Sequence, residues 1–225
     1  MKILAEDLAR LCYNAIQFSS KDSSLGGVVM FRVTEYRGLE AYASDDYVAM
    51  ADFALIEDPR DRPLFYLGLK EVKELEKWLR DKEGAIEFFP YDSGDGFNVE
   101  CNDGADGNHD LQTVSEPPDF SGVVEVVHSD PNPFTGEYSP SAEPFAIRAE
   151  RFTKFRLLRT PESPSCKDGY PVDFLWDGRI IRWKCGPMLK GVIGPLARHS
   201  YTTDTGIEVT GIKDLYQEES EVLWT

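Results

Sequence analysis

Apolar residues recur at helical spacing in two stretches of the chain. Leu4, Leu8, Leu11, Ala15 and Ile16 fall on one face, and Glu6 and Asp7 sit in the first turn, where the helix dipole favours acids. This spacing predicts a helix over residues 5–18. Leu69, Val72, Leu75 and Leu79 form a second apolar stripe, which predicts a helix over 69–82. Between the two the period drops towards two. Residues 27–33 are apolar and β-branched, and 39–44 and 47–55 alternate apolar with polar or small residues, so all three read as strands, with a turn at Tyr36-Arg37-Gly38. Residues 85–91 and 96–102 read as strands joined through Ser93-Gly94-Asp95-Gly96. Residues 144–158 read as a strand entering a helix, and 170–176 and 179–186 as paired strands turning at Asp177-Gly178. The tail holds one strand near 206–212 and a short helix. The pattern predicts an α+β fold in which the first two helices pack side by side across an antiparallel sheet.

Breaks in the pattern suggest the organisation. Pro59 and Pro63 punctuate the chain before the second helix, and residues 128–143 are rich in Pro, Ser and Gly. The expected division is a unit over 1–127, a linker over 128–143 and a shorter unit over 144–225. Asp103, Asp106 and Asp110 resemble a Ca²⁺ loop only loosely, because the closing Glu and the regular ligand spacing are missing. That stretch reads as an exposed turn.

Charge changes the picture most. The 225 residues carry 24 Lys and Arg against 40 Asp and Glu, a formal net charge of −16, which argues against DNA binding if the charge is spread evenly. It is not. Residues 91–143 hold twelve acids and no base, whereas residues 148–159 hold five bases and one acid. On the second helix Lys70, Lys73, Lys77 and Arg80 fall within an arc of about 80° beside the apolar stripe. Two solvated faces, or an acidic shell around a local basic surface, both fit this segregation.

Candidate chemistry is sparse. Cys12, Cys101, Cys166 and Cys185 are far apart and read as reduced, buried thiols, and His109, His128 and His199 have no neighbouring ligand for a zinc site. No nucleophile elbow, phosphate loop, dinucleotide fingerprint or zinc-protease motif occurs. The expectation is no catalytic residue, no metal and no cofactor. No apolar run approaches the roughly 18–20 residues that span a bilayer, and the first residues lack a signal peptide's apolar stretch, so a cytoplasmic protein without a membrane partner is expected.

Three stretches carry a resemblance. Residues 8–53 run as a helix, a few polar residues, a Gly, an apolar strand, a turn and then Ala43-Ser44-Asp45-Asp46-Tyr47-Val48-Ala49. Residues 111–127 include Pro118-Asp119-Phe120, and 185–198 include Val192, Ile193, Pro195 and Leu196. In order and spacing they resemble the bacterial and phage DNA sliding clamps, the polymerase processivity factors, over about residues 1–127 and 143–198. The family's Gly after the motif Asp is Asp46 here, and its Arg and Leu are Val48 and Ala49. The second half matches only the latter half of a clamp domain, and the chain runs past the family's usual end.

The resemblance implies a DNA-clamp fold with antiparallel sheets outside and helices lining an inner, DNA-facing surface. It implies a non-catalytic processivity factor that encircles double-stranded DNA and tethers the replicative polymerase. Arg10, Lys70, Lys73, Lys77, Arg80, Arg148, Arg151 and Lys154 would then meet phosphates without reading bases. The polymerase and the clamp loader would dock short peptides in a pocket of Ser44, Tyr47 and Val48 facing Val192, Ile193, Pro195 and Leu196. Two domains per chain imply a homo-oligomeric trimer, and one and a half leave a dimer or monomer open. The competing readings are a monomeric clamp-fold regulator that binds a replication or transcription protein, and an unrelated acidic enzyme or DNA mimic.

Overall fold

The computed structural model describes residues 1–59, 64–102, 107–128, 149–161, 170–176, 180–194, 198–202 and 208–212. The first section is one pattern repeated. Strand β1 (Lys2–Leu4), helix α1 (Ala5–Phe18) and strands β2 (Val28–Val33), β3 (Gly38–Ser44) and β4 (Val48–Leu55) make one unit. Strand β5 (Leu64–Gly68), helix α2 (Leu69–Leu79) and strands β6 (Ala85–Pro90), β7 (Gly96–Cys101) and β8 (Asn108–Gln112) make another. Each unit lends its first strand to the other. β1 pairs antiparallel with β6, Ile3 opposite Ile86, and β5 pairs antiparallel with β2, Phe31 opposite Phe65. The exchange gives the section a pseudo-two-fold.

α1 and α2 lie side by side, as their spacing predicts. Their apolar stripes share one core with the inner faces of both sheets, including Leu8, Leu11, Phe31, Leu75, Phe88 and Leu111. α2 ends at Leu79 rather than at Lys82, because the apolar stripe has no further member to bury and the chain turns through Gly84 at φ +80°. The end of the stretch expected as an exposed turn, residues 108–110, instead opens strand β8, which runs on to Gln112. Leu111 is its one large apolar residue, so no alternation shows in the sequence.

After β8 the chain crosses to the other side of the sheet as helix α3 (Ser121–His128). Asp119 accepts the N–H and hydroxyl of Ser121 at its start, both at 2.8 Å. Phe120, Val123 and Val127 pack on Met30, Tyr42, Ala49 and Val192. The chain then continues through helix α4 (Ala149–Thr153), a 3-10 turn (Lys154–Leu157), and strands β9 (Val172–Trp176), β10 (Ile181–Cys185) and β11 (Leu189–Ile193). β11 pairs with β4 from Val48↔Ile193 to Asp52↔Leu189. One seven-stranded sheet therefore runs β5-β2-β3-β4-β11-β10-β9, beside the four-stranded β1-β6-β7-β8. β12 (Arg198–Thr202) and β13 (Glu208–Ile212) form a separate hairpin. Among the described residues no helix is long and apolar enough to cross a membrane.

Candidate nucleic-acid interface

Helix α2 places Lys70, Lys73, Lys77 and Arg80 in solvent, one or two turns apart, while Leu69, Val72, Leu75 and Leu79 on the adjacent face are buried. Glu76 lies inside the apolar stripe, buried, and carries two cations. Arg80 Nη2 donates to its Oε2 at 2.8 Å, and Arg159 Nη1 approaches its Oε1 at 3.6 Å. The Arg159 guanidinium lies 3.6 Å from the centre of the Tyr13 ring. Glu76 thus links the basic face of α2 to Arg159, which follows the 3-10 turn. Arg156 and Arg159, both exposed, belong to the basic run 148–159, and spacing alone did not single them out.

Three of the other expected phosphate contacts lie elsewhere. Arg10 is buried on the sheet side of α1, against Asp52 of β4, and also donates to Phe53 O at 2.9 Å and Asp7 at 3.2 Å. It is therefore a core residue and not a surface contact. Asn14, one turn on, donates to Asp52 Oδ2 at 2.7 Å and to Arg159 O at 2.7 Å, and accepts the Arg159 N–H at 2.9 Å. Burial pushes the Asp52 carboxyl above the usual aspartate value, and Arg10, Asn14 and the Phe53 N–H pull it back down. Arg151 is buried as well, donating to Gly194 O at 2.5 Å with its guanidinium 4.2 Å from the Tyr47 ring centre. Lys154 is half-buried in an ion pair with Asp45. Arg148 lies outside the described residues.

The residues expected to form a peptide pocket meet at the seam between β4 and β11. Val48 is opposite Ile193 and Ala49 is opposite Val192, and Ser44, Val48, Val192 and Ile193 are all buried. They are sheet core, and Tyr47 alone of the described set is exposed. Pro195 and Leu196 lie outside the described residues. The turn between β3 and β4 explains the Asp at the family's Gly position. Asp46 sits at φ +72°, a conformation open to Gly and tolerated by Asp, and its carboxylate accepts the Ser24 N–H at 2.9 Å. Asp45 accepts the N–H groups of Tyr47 and Val48.

On the opposite side of the seam His128 closes a chain of polar contacts. Lys190 Nζ donates to its Nδ1 at 3.0 Å, which leaves Nε2–H to donate to Tyr42 Oη at 2.7 Å, and Tyr42 donates to Glu40 at 2.5 Å. Burial, and then Lys190, hold the His128 imidazole below its ordinary value. Cys12 and Cys185 are buried free thiols, both pushed up by burial, Cys185 to about 11. Cys101 is half-buried. Among the described residues no group of three or more His, Cys, Asp or Glu could hold a metal ion.

No family model matches the chain, and no curated protein matches it. Solved structures do. It superimposes on the Pseudomonas aeruginosa DNA polymerase III subunit beta with a TM-score of 0.60 at 12% identity, over 91% of this chain and 66% of that one. The architecture is the DNA-clamp fold. The Thermotoga maritima DNA polymerase III beta subunit gives a TM-score of 0.59 at 12% identity, over 86% of this chain and 63% of that one. The Helicobacter pylori beta clamp bound to a DNA ligase peptide gives 0.57 at 12% identity, over 91% and 69%. The chain thus spans 63–66% of the length of the first two clamps.

Proposed function

We propose that the protein is a sliding clamp, a non-catalytic processivity factor that encircles duplex DNA and holds a polymerase on it. The observation that carries this reading is the clamp fold together with the exposed basic face of α2. Lys70, Lys73, Lys77 and Arg80 are the contacts to phosphate, joined by exposed Arg156 and Arg159 and, on the sequence alone, by Arg148. Such contacts bind the backbone alone, which suits a ring that slides. The net charge of −16 repels duplex from the rest of the surface. Copies of the chain complete the ring, in the cytoplasm of a bacterium or of a phage-infected cell. The polymerase and the loader dock short peptides near exposed Tyr47, as a ligase peptide docks on the Helicobacter pylori clamp.

The test is retention on DNA. The protein loaded on a nicked circle should stay through a high-salt wash and leave when the circle is cut. Replacing Lys70, Lys73 and Lys77 by Glu should weaken DNA binding and flatten its salt dependence by about 0.9 in log–log slope for each phosphate left without its cation. Equal retention on linear and circular DNA would remove the encircling role. A second reading, a monomeric clamp-fold regulator that binds a replication or transcription protein, is favoured by α1, whose one Arg is buried. It predicts binding to such a protein with no retention on circles.

A further inference from the structure

Glu76 is the one acid among the buried residues of α2, and its side chain is 5% exposed. A carboxylate in an apolar stripe is costly unless cations and hydrogen bonds meet it. Two guanidinium groups do. Arg80 reaches Oε2 from the next turn of the helix, with Nη2 at 2.8 Å and Nε at 3.2 Å. Arg159 approaches the other oxygen, Oε1, at 3.6 Å. It belongs to the third unit, α4 to β11, and α1 fixes its place. Asn14 bonds both its main-chain N–H and its C=O, and its guanidinium lies over the Tyr13 ring. Even so, the side chains of Arg80 and Arg159 remain 62% and 49% exposed. Lys70 is placed differently. It meets Glu74 at 3.6 Å with both side chains in water, and a surface pair of that kind fixes little.

We infer that Glu76 is a positioning residue, which sets Arg80 and Arg159 as the two prongs of a receptor for a single phosphodiester of duplex DNA. The inference rests on the DNA reading and adds to it a grip of fixed geometry. Each guanidinium has five N–H donors in a rigid plane, and Glu76 engages only part of them. A phosphodiester presents two unesterified oxygens, spaced much as those of a carboxylate. One such group can therefore bridge from the solvent side the two guanidinium groups that Glu76 bridges from the core side. Two cations against one acid leave the site positive. Glu76 sits among Val72, Leu75 and Leu79, so it cannot swing into solvent to compete with the phosphate. It holds the arginines in place rather than masking them, and binding then orders fewer side chains. Because the third unit carries one prong, the grip exists only while the residues after the 3-10 turn rest on α1.

The experiment is the affinity of the full chain for a short blunt-ended duplex, by fluorescence anisotropy over a salt series, with circular dichroism as a check on folding. Glu76→Gln removes a negative charge, so charge alone would tighten binding. The expected result is the opposite, a dissociation constant raised about five-fold, somewhat less than for the loss of a whole charge-assisted hydrogen bond. Glu76→Leu suits the apolar stripe and should weaken binding in the same way, which keeps the test open if the Gln variant unfolds. Arg80→Lys with Arg159→Lys keeps both cations, and hence the salt slope, but loses the planar fork and should also weaken binding. In that double variant Glu76→Gln should cause no further loss. A loss that persists there assigns Glu76 to folding alone and overturns the inference. Binding that the Glu76 variants leave unchanged or strengthen overturns it as well, with the DNA reading intact. No duplex binding by the unsubstituted chain overturns both.

Discussion

Phe31 and Phe174 occupy the same place in two copies of one topology and have opposite surroundings. The first is sealed by a second unit, and the second lies open at the end of the sheet. A helix over three strands buries its apolar face only in part, and the remainder of the core comes from the neighbouring unit. Stability should therefore be unequal along the chain, with the paired section firm and the third unit dependent on what it leans against.

Substitutions that respect this contrast should separate the two sections. Phe31→Ala should cost about 3–5 kcal/mol in denaturant unfolding, the usual cost of emptying an aromatic site in a core. Phe174→Ala should cost less, about 1–2 kcal/mol in dilute protein, because the residue is only partly withdrawn from water, at 41% exposed. Equal costs would mean that the two faces are equally covered. Arg10→Ala should be comparable to Phe31→Ala, about 3–5 kcal/mol, since it strands the buried Asp52 carboxyl. Adding Asp52→Leu should return much of that loss, and a double-mutant cycle measures the return.

Asn14→Ala should have a smaller effect, about 1–3 kcal/mol for the unpaired Arg159 main chain and Asp52. Its effect should be local, since Asn14, with Tyr13, ties α1 to Arg159 after the 3-10 turn. Hydrogen exchange should rise in β9 and β10 and hold in β2 and β3. The smallest effect concerns pH. The native His128 titrates below its unfolded value, so the unfolded chain binds more protons. The resulting stability is complete above the unfolded value of 6.5 and falls as pH drops below it towards the native value. His128→Gln should flatten that slope, and an unchanged slope between pH 7 and about 5 would assign it to other groups.

Helices α1 and α2 and strands β2 to β4 were legible because their apolar periods are unbroken. β1 is three residues long and β5 has no alternation, so neither gives a periodic signal. α3 was hidden by its run of valines, which carries little helical preference until Phe120, Val123 and Val127 find the back of the sheet. The basic stripe of α2 was legible because that helix is strongly amphipathic. Arg10 and Arg151 were not, because an arginine's sequence neighbours do not reveal a buried aspartate 42 residues away or a carbonyl 43 residues away. Arg156 and Arg159 had a signal in the five-base run, but their exposure depends on which side of a short helical turn meets α1. The pocket residues match the family's order, but their burial follows from a strand pairing that joins residues far apart in the chain.

The seam between β4 and β11 has a mechanical side. Its ladder runs from Val48↔Ile193 to Asp52↔Leu189, with Asn14 and Arg159 bracing the helix side and His128 with Lys190 bracing the other. A joint clasped on both faces cannot swing like a door. Such a ladder should make the two sections flex as one plate, with a load across them shared along its length. Any opening of an assembly built from such plates would begin where chains meet one another, well away from this seam.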